Sequence, residues 1–321
     1  MAGLRLTFAC GLYDRVLPLY RGAVKPEGID LDFRAIDNPR EVFDRMHKGE
    51  FDASEMSSSE FIVAQSAGKR DLVALPVFVS RVFRHSFIFV NRRAGIAKPQ
   101  DLAGKRVGVT SYTQTAAVFI RGMLQHEYGV DPASIRWIQG PMTSGGAAAP
   151  LPKLAKPVAI ELDRSGKAQS DKLADGELDA CLGATMPESF GRSPEVVRLF
   201  PEFREVEKDY FRRTRIFPIM HLIALKRDVH ERHPFVAASL YQALCRSKDL
   251  AIARMREVGA LAYMLPWLPD DLREMDEVFG GDAWPYGVEP NRPTLAALVT
   301  YLAEQGMIAA PVKLEDLFVP L

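Results

Sequence analysis

The chain carries only three cysteines in 321 residues, Cys10, Cys181 and Cys245, widely separated and with no Cys-x-x-Cys pair. An odd, scattered set excludes a disulfide framework and a zinc ribbon. Net charge is missing too: 41 Lys plus Arg balance 41 Asp plus Glu, and no basic block stands out. A chain without a basic face has no electrostatic footprint for nucleic acid or an anionic membrane, so neither is expected as a partner. No apolar run approaches the roughly 18 residues of a membrane-spanning helix. His-x-x-x-His, Gly-x-Ser-x-Gly, Gly-x-Gly-x-x-Gly and Walker patterns are also absent, which removes the hydrolase, dehydrogenase and NTPase readings. A secretory leader is not found at the start, where residues 4–10 read as a strand. Phe8-Ala9-Cys10-Gly11 is similar to a lipoprotein cleavage site, but too few apolar residues precede it. A cytoplasmic protein is expected.

What is present is the composition of an ordinary globular protein, 47% hydrophobic and 26% charged, and enough length for two domains that each bury a core. Strand-like and helix-like segments alternate: strand 4–9, helix 13–21, strand 29–35, helix 39–48. The pattern restarts with strand 107–109, helix 115–128 and strand 135–138. Such alternation argues for parallel strands joined by crossover helices. Gly49-Glu50-Phe51-Asp52-Ala53 is echoed by Gly176-Glu177-Leu178-Asp179-Ala180, each after a helix and ahead of a short strand, which points to duplication. Residues 140–157 are rich in Gly, Pro and Ala without a period and read as a long loop. Beyond residue 215 come strand 219–225 and helices 234–257 and 295–306. The expected organisation is a two-lobed α/β protein with a discontinuous first lobe, residues 1–95 plus 216–321, a second lobe, residues 96–215, and a small carboxylate-bearing ligand in the cleft between them.

Four clusters carry chemistry. Glu55-Met56-Ser57-Ser58-Ser59-Glu60 places hydroxyls and a carboxylate between a strand's carboxyl end and a helix N-terminus. Such a cluster serves as an anion site or as a capping box. Arg81-Val82-Phe83-Arg84-His85-Ser86 leads into an apolar strand. As an extended segment it would put Arg81, Phe83 and His85 on one face, fit to grip a carboxylate and exchange a proton. Ser111-Tyr112-Thr113-Gln114-Thr115 is the second lobe's counterpart of the serine cluster, a helix cap or an anion site. Arg212-Arg213-Thr214-Arg215 precedes Pro218-Ile219-Met220-His221, either as a solvated face or with one arginine and His221 turned to the ligand. Trp284-Pro285-Tyr286-Gly287 reads as a core closure or an aromatic wall. His47, His126, His230 and His233 are expected at the surface.

Glu55 to Glu60, Arg84-His85-Ser86, Gly104-Lys105-Arg106-Val107-Gly108-Val109 with Tyr112 and Thr115, Pro218 to His221 and Trp284 to Gly287 together resemble the 4,5-dihydroxyphthalate decarboxylase family over nearly the whole chain. Arg121-Gly122 and Glu127-Tyr128-Gly129-Val130 add to the match. The resemblance implies a type 2 periplasmic-binding-protein-like fold and removal of one carboxylate from a hydroxylated aromatic acid by protonation of the ring carbon. A non-catalytic solute-binding protein for a small aromatic or carboxylate ligand is the alternative. Under the first reading His85 or His221 is the acid, and Glu55 takes the phenolic proton or binds the hydroxyl. Ser57, Ser58, Arg81, Arg84, Tyr112, Thr113, Thr115, Arg213 and Arg215 contact the substrate. No cofactor is expected. A divalent metal would require Glu55, His85 and His221 to converge, and the metal-free form is preferred because no local pair has ligand spacing. Self-association is left open.

Overall fold

The computed structural model describes residues 3–146 and 149–321. Its strands are β1 (Leu4–Cys10), β2 (Ile29–Ala35), β3 (Ala53–Ser57), β4 (Leu72–Arg81), β5 (Ile88–Asn91), β6 (Arg106–Val109), β7 (Arg136–Gln139), β8 (Ile160–Leu162), β9 (Ala180–Leu182), β10 (Val196–Arg198) and β11 (Ile219–Lys226). They form two sheets, in the orders β2-β1-β3-β11-β4 and β10-β5-β9-β6-β7-β8. Two compact units follow, one of Met1–Arg81, Ile219–Leu295 and Val312–Leu321, the other of Val82–Pro218 and Ala296–Pro311.

In the first unit, the alternation Leu4-Arg5-Leu6-Thr7-Phe8 sends Leu6 and Phe8 into the core, 1% and 0% exposed. Burying each such side chain contributes roughly 1.5–3 kcal/mol. β1 runs parallel to β2 and β3, while β11 is antiparallel to both β3 and β4. Pro76, which cannot donate to a ladder, is accommodated because β4 is an edge strand. The helix Phe235–Arg256 covers this sheet through Val236, Leu240 and Leu244.

In the second unit β6 is parallel to β7 and β9, and β5 is antiparallel to β9 and β10. The helix Thr115–Tyr128 ends at Gly129 with φ 66°, a left-handed stop that glycine adopts without a Cβ penalty. Phe89, Leu173, Leu178 and Cys181 form a core cluster. Residues 140–157 are a loop as read, with Ala147 and Ala148 outside the described residues.

The pentapeptide echo has one physical meaning in both units. Asp52 Oδ2 accepts from Thr7 N at 2.8 Å at the middle of β1, and Asp179 Oδ2 accepts from Arg106 N at 2.8 Å at the start of β6. The backbone reciprocates, Asp52 N to Thr7 O and Asp179 N to Arg106 O. Each aspartate thus ties the entry to one strand onto its parallel neighbour.

The domain bounds and one local segment depart from the sequence reading. Residues 82–95, 216–218 and 296–311, expected in the first lobe, belong to the second unit: β5 pairs with β9 and β10, and Gln305 bonds the Arg121 side chain and Val118 O. The 81–86 segment is not extended: Arg81 ends β4, and His85–Phe87 form a 3-10 turn, so the alternation that put Arg81, Phe83 and His85 on one face is lost. Among the described residues no helix is long and apolar enough to cross a membrane.

Candidate functional site

Among the central strands of the first unit's sheet, the carboxyl ends of β1 and β3 meet the start of β11, where His221 pairs opposite Ser57. Carboxyl ends of parallel strands are where α/β sheets place ligand-binding loops. Register shifts on both sides of His221 in its pairing with β4 re-aim this residue.

Glu55 lies on β3 with no exposed surface, and both its oxygens are engaged. Oε1 accepts from Tyr13 Oη at 2.6 Å and faces His221 Nδ1 at 2.5 Å. Oε2 accepts from Gly11 N at 3.1 Å and from Cys10 Sγ at 3.5 Å. Burial by itself raises the Glu55 carboxyl, but the bond and charge of His221, with donations from Tyr13 and Gly11, outweigh it and hold the group below the usual carboxylate range. Burial and the adjacent carboxylate push the Tyr13 phenol and the Cys10 thiol well above their ordinary values, so both stay protonated donors. A carboxylate offers about four acceptor positions. Four neighbours thus engage Glu55, and the carboxylate orients them.

His221 is 18% exposed at its side chain, and its ring meets Phe43 edge-on at 5.0 Å between centroids. With Nδ1 on Glu55, its Nε2 makes no hydrogen bond among the described residues and is not sealed from solvent. This is the geometry of a general acid or base: one nitrogen held by a buried carboxylate, the other presented outward.

Next to it the helix Ser58–Ser66 begins. Ser57 Oγ caps it, accepting from Glu60 N at 3.4 Å. Ser58 is 1% exposed and its Oγ has no partner among the described residues. Glu60 forms a two-pronged pair with Arg40 at 2.6 and 3.1 Å. Arg81 is buried and donates through Nη1 to Asn291 Oδ1 at 2.7 Å. Burial lowers its pKa to about 9, and it braces the chain around Asn291.

In the second unit Arg84 is 4% exposed. Its Nη1 reaches Gly183 O at 3.5 Å, its Cζ stands 4.7 Å from the Phe87 ring centroid, and its Nε has no partner among the described residues. Burial lowers its pKa to about 10, which leaves it a cation at neutral pH. The nearby Glu207 carboxylate accepts instead from Ser86 N and Oγ, both at 3.0 Å. His85 is enclosed by the rings of Tyr128, Phe200 and Tyr210, and neither ring nitrogen has a partner among the described residues. Burial, and secondarily the charge of Arg213, lowers its pKa to about 3, so His85 is neutral near pH 7 and is not a reservoir of imidazolium.

The remaining predicted contacts are placed as follows. Tyr112 is 1% exposed and stacks under Arg121, whose Cζ is 3.6 Å from its ring centroid. Thr113 Oγ1 pairs with Ser111 Oγ at 3.2 Å, and Thr115 is buried in the first turn of its helix. Arg213 is exposed and bonds Glu127 and Asp209 at 2.7 and 2.8 Å, while Arg215, also exposed, lies over Phe211. Arg213 is thus paired with two carboxylates at the surface. His47 and His126 face solvent as expected, whereas His230 and His233 are half-buried. Among the described residues no group of three His, Cys, Asp or Glu side chains is disposed to hold a metal ion.

The sequence reading missed Gly11 and Tyr13. Their signal was the first loop after β1, the strand-end position where ligand groups concentrate.

Comparison with known proteins completes the site's context. A protein from Comamonas testosteroni named 4,5-dihydroxyphthalate decarboxylase is 34% identical over 323 residues, covering 100% of this chain and 98% of the relative. One of the same name from Pseudomonas putida is 34% identical over 215 residues, 66% of this chain and 83% of the relative. The family model described as ABC transporter, phosphonate, periplasmic substrate-binding protein matches residues 24–148. Among solved structures, the periplasmic aliphatic sulphonate binding protein SsuA of Escherichia coli has a TM-score of 0.58 at 12% identity, covering 100% of this chain and 92% of that one. The sulfonate-binding SsuA of Methylobacillus flagellatus has a TM-score of 0.59 at 13% identity, with 100% and 93% covered. These likenesses give the fold: that of the periplasmic binding proteins.

Proposed function

The chain belongs to the 4,5-dihydroxyphthalate decarboxylase family, a family of carboxy-lyases, and from that premise we propose that it removes one carboxylate from a hydroxylated aromatic diacid such as 4,5-dihydroxyphthalate. The observation that carries this reading is His221, held through Nδ1 by the buried Glu55 carboxylate with Nε2 outward.

In the proposed reaction the hydroxyl para to the leaving carboxylate pushes electrons into the ring as it gives up its proton to solvent. His221 Nε2 delivers a proton to the ring carbon that bears the carboxylate, forming a C–H bond. The C–C bond then breaks, its electron pair returns to the ring and carbon dioxide departs. The product phenol regains its proton and His221 is reprotonated by solvent, so the net change is one carboxylate and one proton becoming carbon dioxide and a C–H bond. Glu55 balances the imidazolium charge and fixes the ring's tautomer, as the carboxylate partner of a general-acid histidine does. Ser58 Oγ and the helix N-terminus behind it suit a substrate carboxylate, and within the second unit Arg84 is a buried cation suited to an anion. The three unpaired cysteines fit a cytoplasmic site of action.

The test is carbon dioxide release from 4,5-dihydroxyphthalate and related hydroxylated aromatic acids, read beside ligand-induced thermal stabilisation. Turnover is expected. Stabilisation without gas release would instead favour a solute-binding protein, the reading to which the phosphonate-binding family match and the SsuA-like fold lend support.

A further inference from the structure

The Trp284-Pro285-Tyr286-Gly287 segment has no part in the chemistry above, yet the first unit holds it at several points. Trp284 Nε1 donates to Phe78 O and Gly287 N to Pro76 O, both at 2.8 Å and both on β4. Asn291 Nδ2 donates to Pro285 O and Gly287 O at 2.8 Å each, while its Oδ1 accepts from Arg81. The indole fixed in this way lies against Arg15. The Arg15 Cζ stands 4.4 Å from the Trp284 ring centroid and 4.4 Å from that of Tyr13. Arg15 Nε donates to Val79 O at 2.7 Å and its Nη1 to Asp14 Oδ1 at 2.9 Å.

A cation on an aromatic face is attracted by the ring and draws on its electron density. For Tyr13 that makes the hydroxyl a stronger donor, and the hydroxyl donates to Glu55 Oε1, the oxygen that also faces His221 Nδ1. We propose that Arg15, clamped between Trp284 and Tyr13, is a positioning residue that acts through the Tyr13 hydroxyl to fix the Glu55–His221 pair. The guanidinium needs its planar face for this role, which a lysine does not offer. The assignment rests on the reading of His221 as proton donor.

A double-mutant cycle on the full chain, with 4,5-dihydroxyphthalate as substrate, tests it. Arg15→Gln and Tyr13→Phe should each lower kcat about tenfold with KM within about twofold, and the double variant should be no slower than the worse single. Losses that multiply to about a hundredfold, or an unchanged kcat in Arg15→Gln, overturn the proposal. Nitrogen NMR of His221 is read in parallel: the Nδ1–H tautomer should predominate in the native protein and give way to a mixture in both single variants. An unchanged tautomer in Arg15→Gln overturns the proposal whatever the rates. Should Arg15→Gln not fold, Trp284→Leu takes its place in the cycle, with the same non-additivity expected and multiplied losses again overturning the assignment. If the native protein does not turn over the substrate, the decarboxylase reading fails on that ground, while the NMR result still decides the role of Arg15.

Discussion

His221 Nδ1 lies 2.5 Å from Glu55 Oε1, and the carboxylate it faces has no exposed surface. His221→Gln should lower kcat by about a hundredfold or more, the usual scale for a positioned acid, with the urea unfolding midpoint little changed. Glu55→Gln should lose activity similarly and cost about 1–3 kcal/mol of stability, since its amide cannot accept all four donors. A His221→Gln protein that releases carbon dioxide at the native rate would place the proton donor elsewhere.

Ser57 and Ser58 are neighbours with opposite expectations. Ser57→Ala removes a helix cap and should destabilise by about 1 kcal/mol. Ser58→Ala deletes a buried hydroxyl that has no partner among the described residues, so stability should hold or rise while KM for a dicarboxylate increases. Urea unfolding and steady-state kinetics on the two variants separate the roles; a large stability loss in Ser58→Ala would show that its hydroxyl is structural.

Arg84 and Arg213 test which arginine meets an anion. Arg84→Gln should raise KM for a dicarboxylate about tenfold more than it weakens binding of a neutral phenol, the scale of a lost charge-assisted bond. Arg213→Ala removes exposed ion pairs and should leave KM unchanged and stability within about 0.5 kcal/mol. The reverse pattern would move the carboxylate contact to the surface arginine.

The buried imidazole of His85 makes stability depend on acid. Its folded pKa of about 3 lies below the ordinary 6.5, because burial disfavours the charged form. The unfolded chain therefore binds a proton that the folded one refuses. The associated stability is intact above the ordinary value and declines as pH falls from there toward the folded value. His85→Phe, which keeps an aromatic ring and cannot titrate, should show a shallower loss of urea midpoint with acidification and should retain turnover. Parallel pH profiles for the two proteins would show that His85 is not held neutral.

Much of the fold could be read locally. The strand at residues 29–35 was read with the bounds that β2 shows, and helix 115–128 likewise, because apolar spacing and a terminal glycine are local signals. The Asp52 and Asp179 echo was visible as letters, but its meaning, a carboxylate tying one strand to its neighbour, needed the pairing of β1 and β6. The segment from Arg81 to Ser86 failed because alternation cannot show where a chain leaves one sheet for another. The pairing of Arg213 with Glu127, 86 positions away, was equally invisible to a local reading.

The sequence by itself determined the α/β alternation, the loop at residues 140–157, the balance of charge and the chemical types gathered near Glu55 and His221. These follow from period, propensity and composition, which act over a few residues at a time. Only the tertiary structure decided that Tyr13 and His221, 42 and 166 positions from Glu55, share one of its oxygens, and that His85 is sealed among aromatic rings. The partners of a polar side chain and its solvation depend on which distant strands cross beside it, and that is a property of the packed chain.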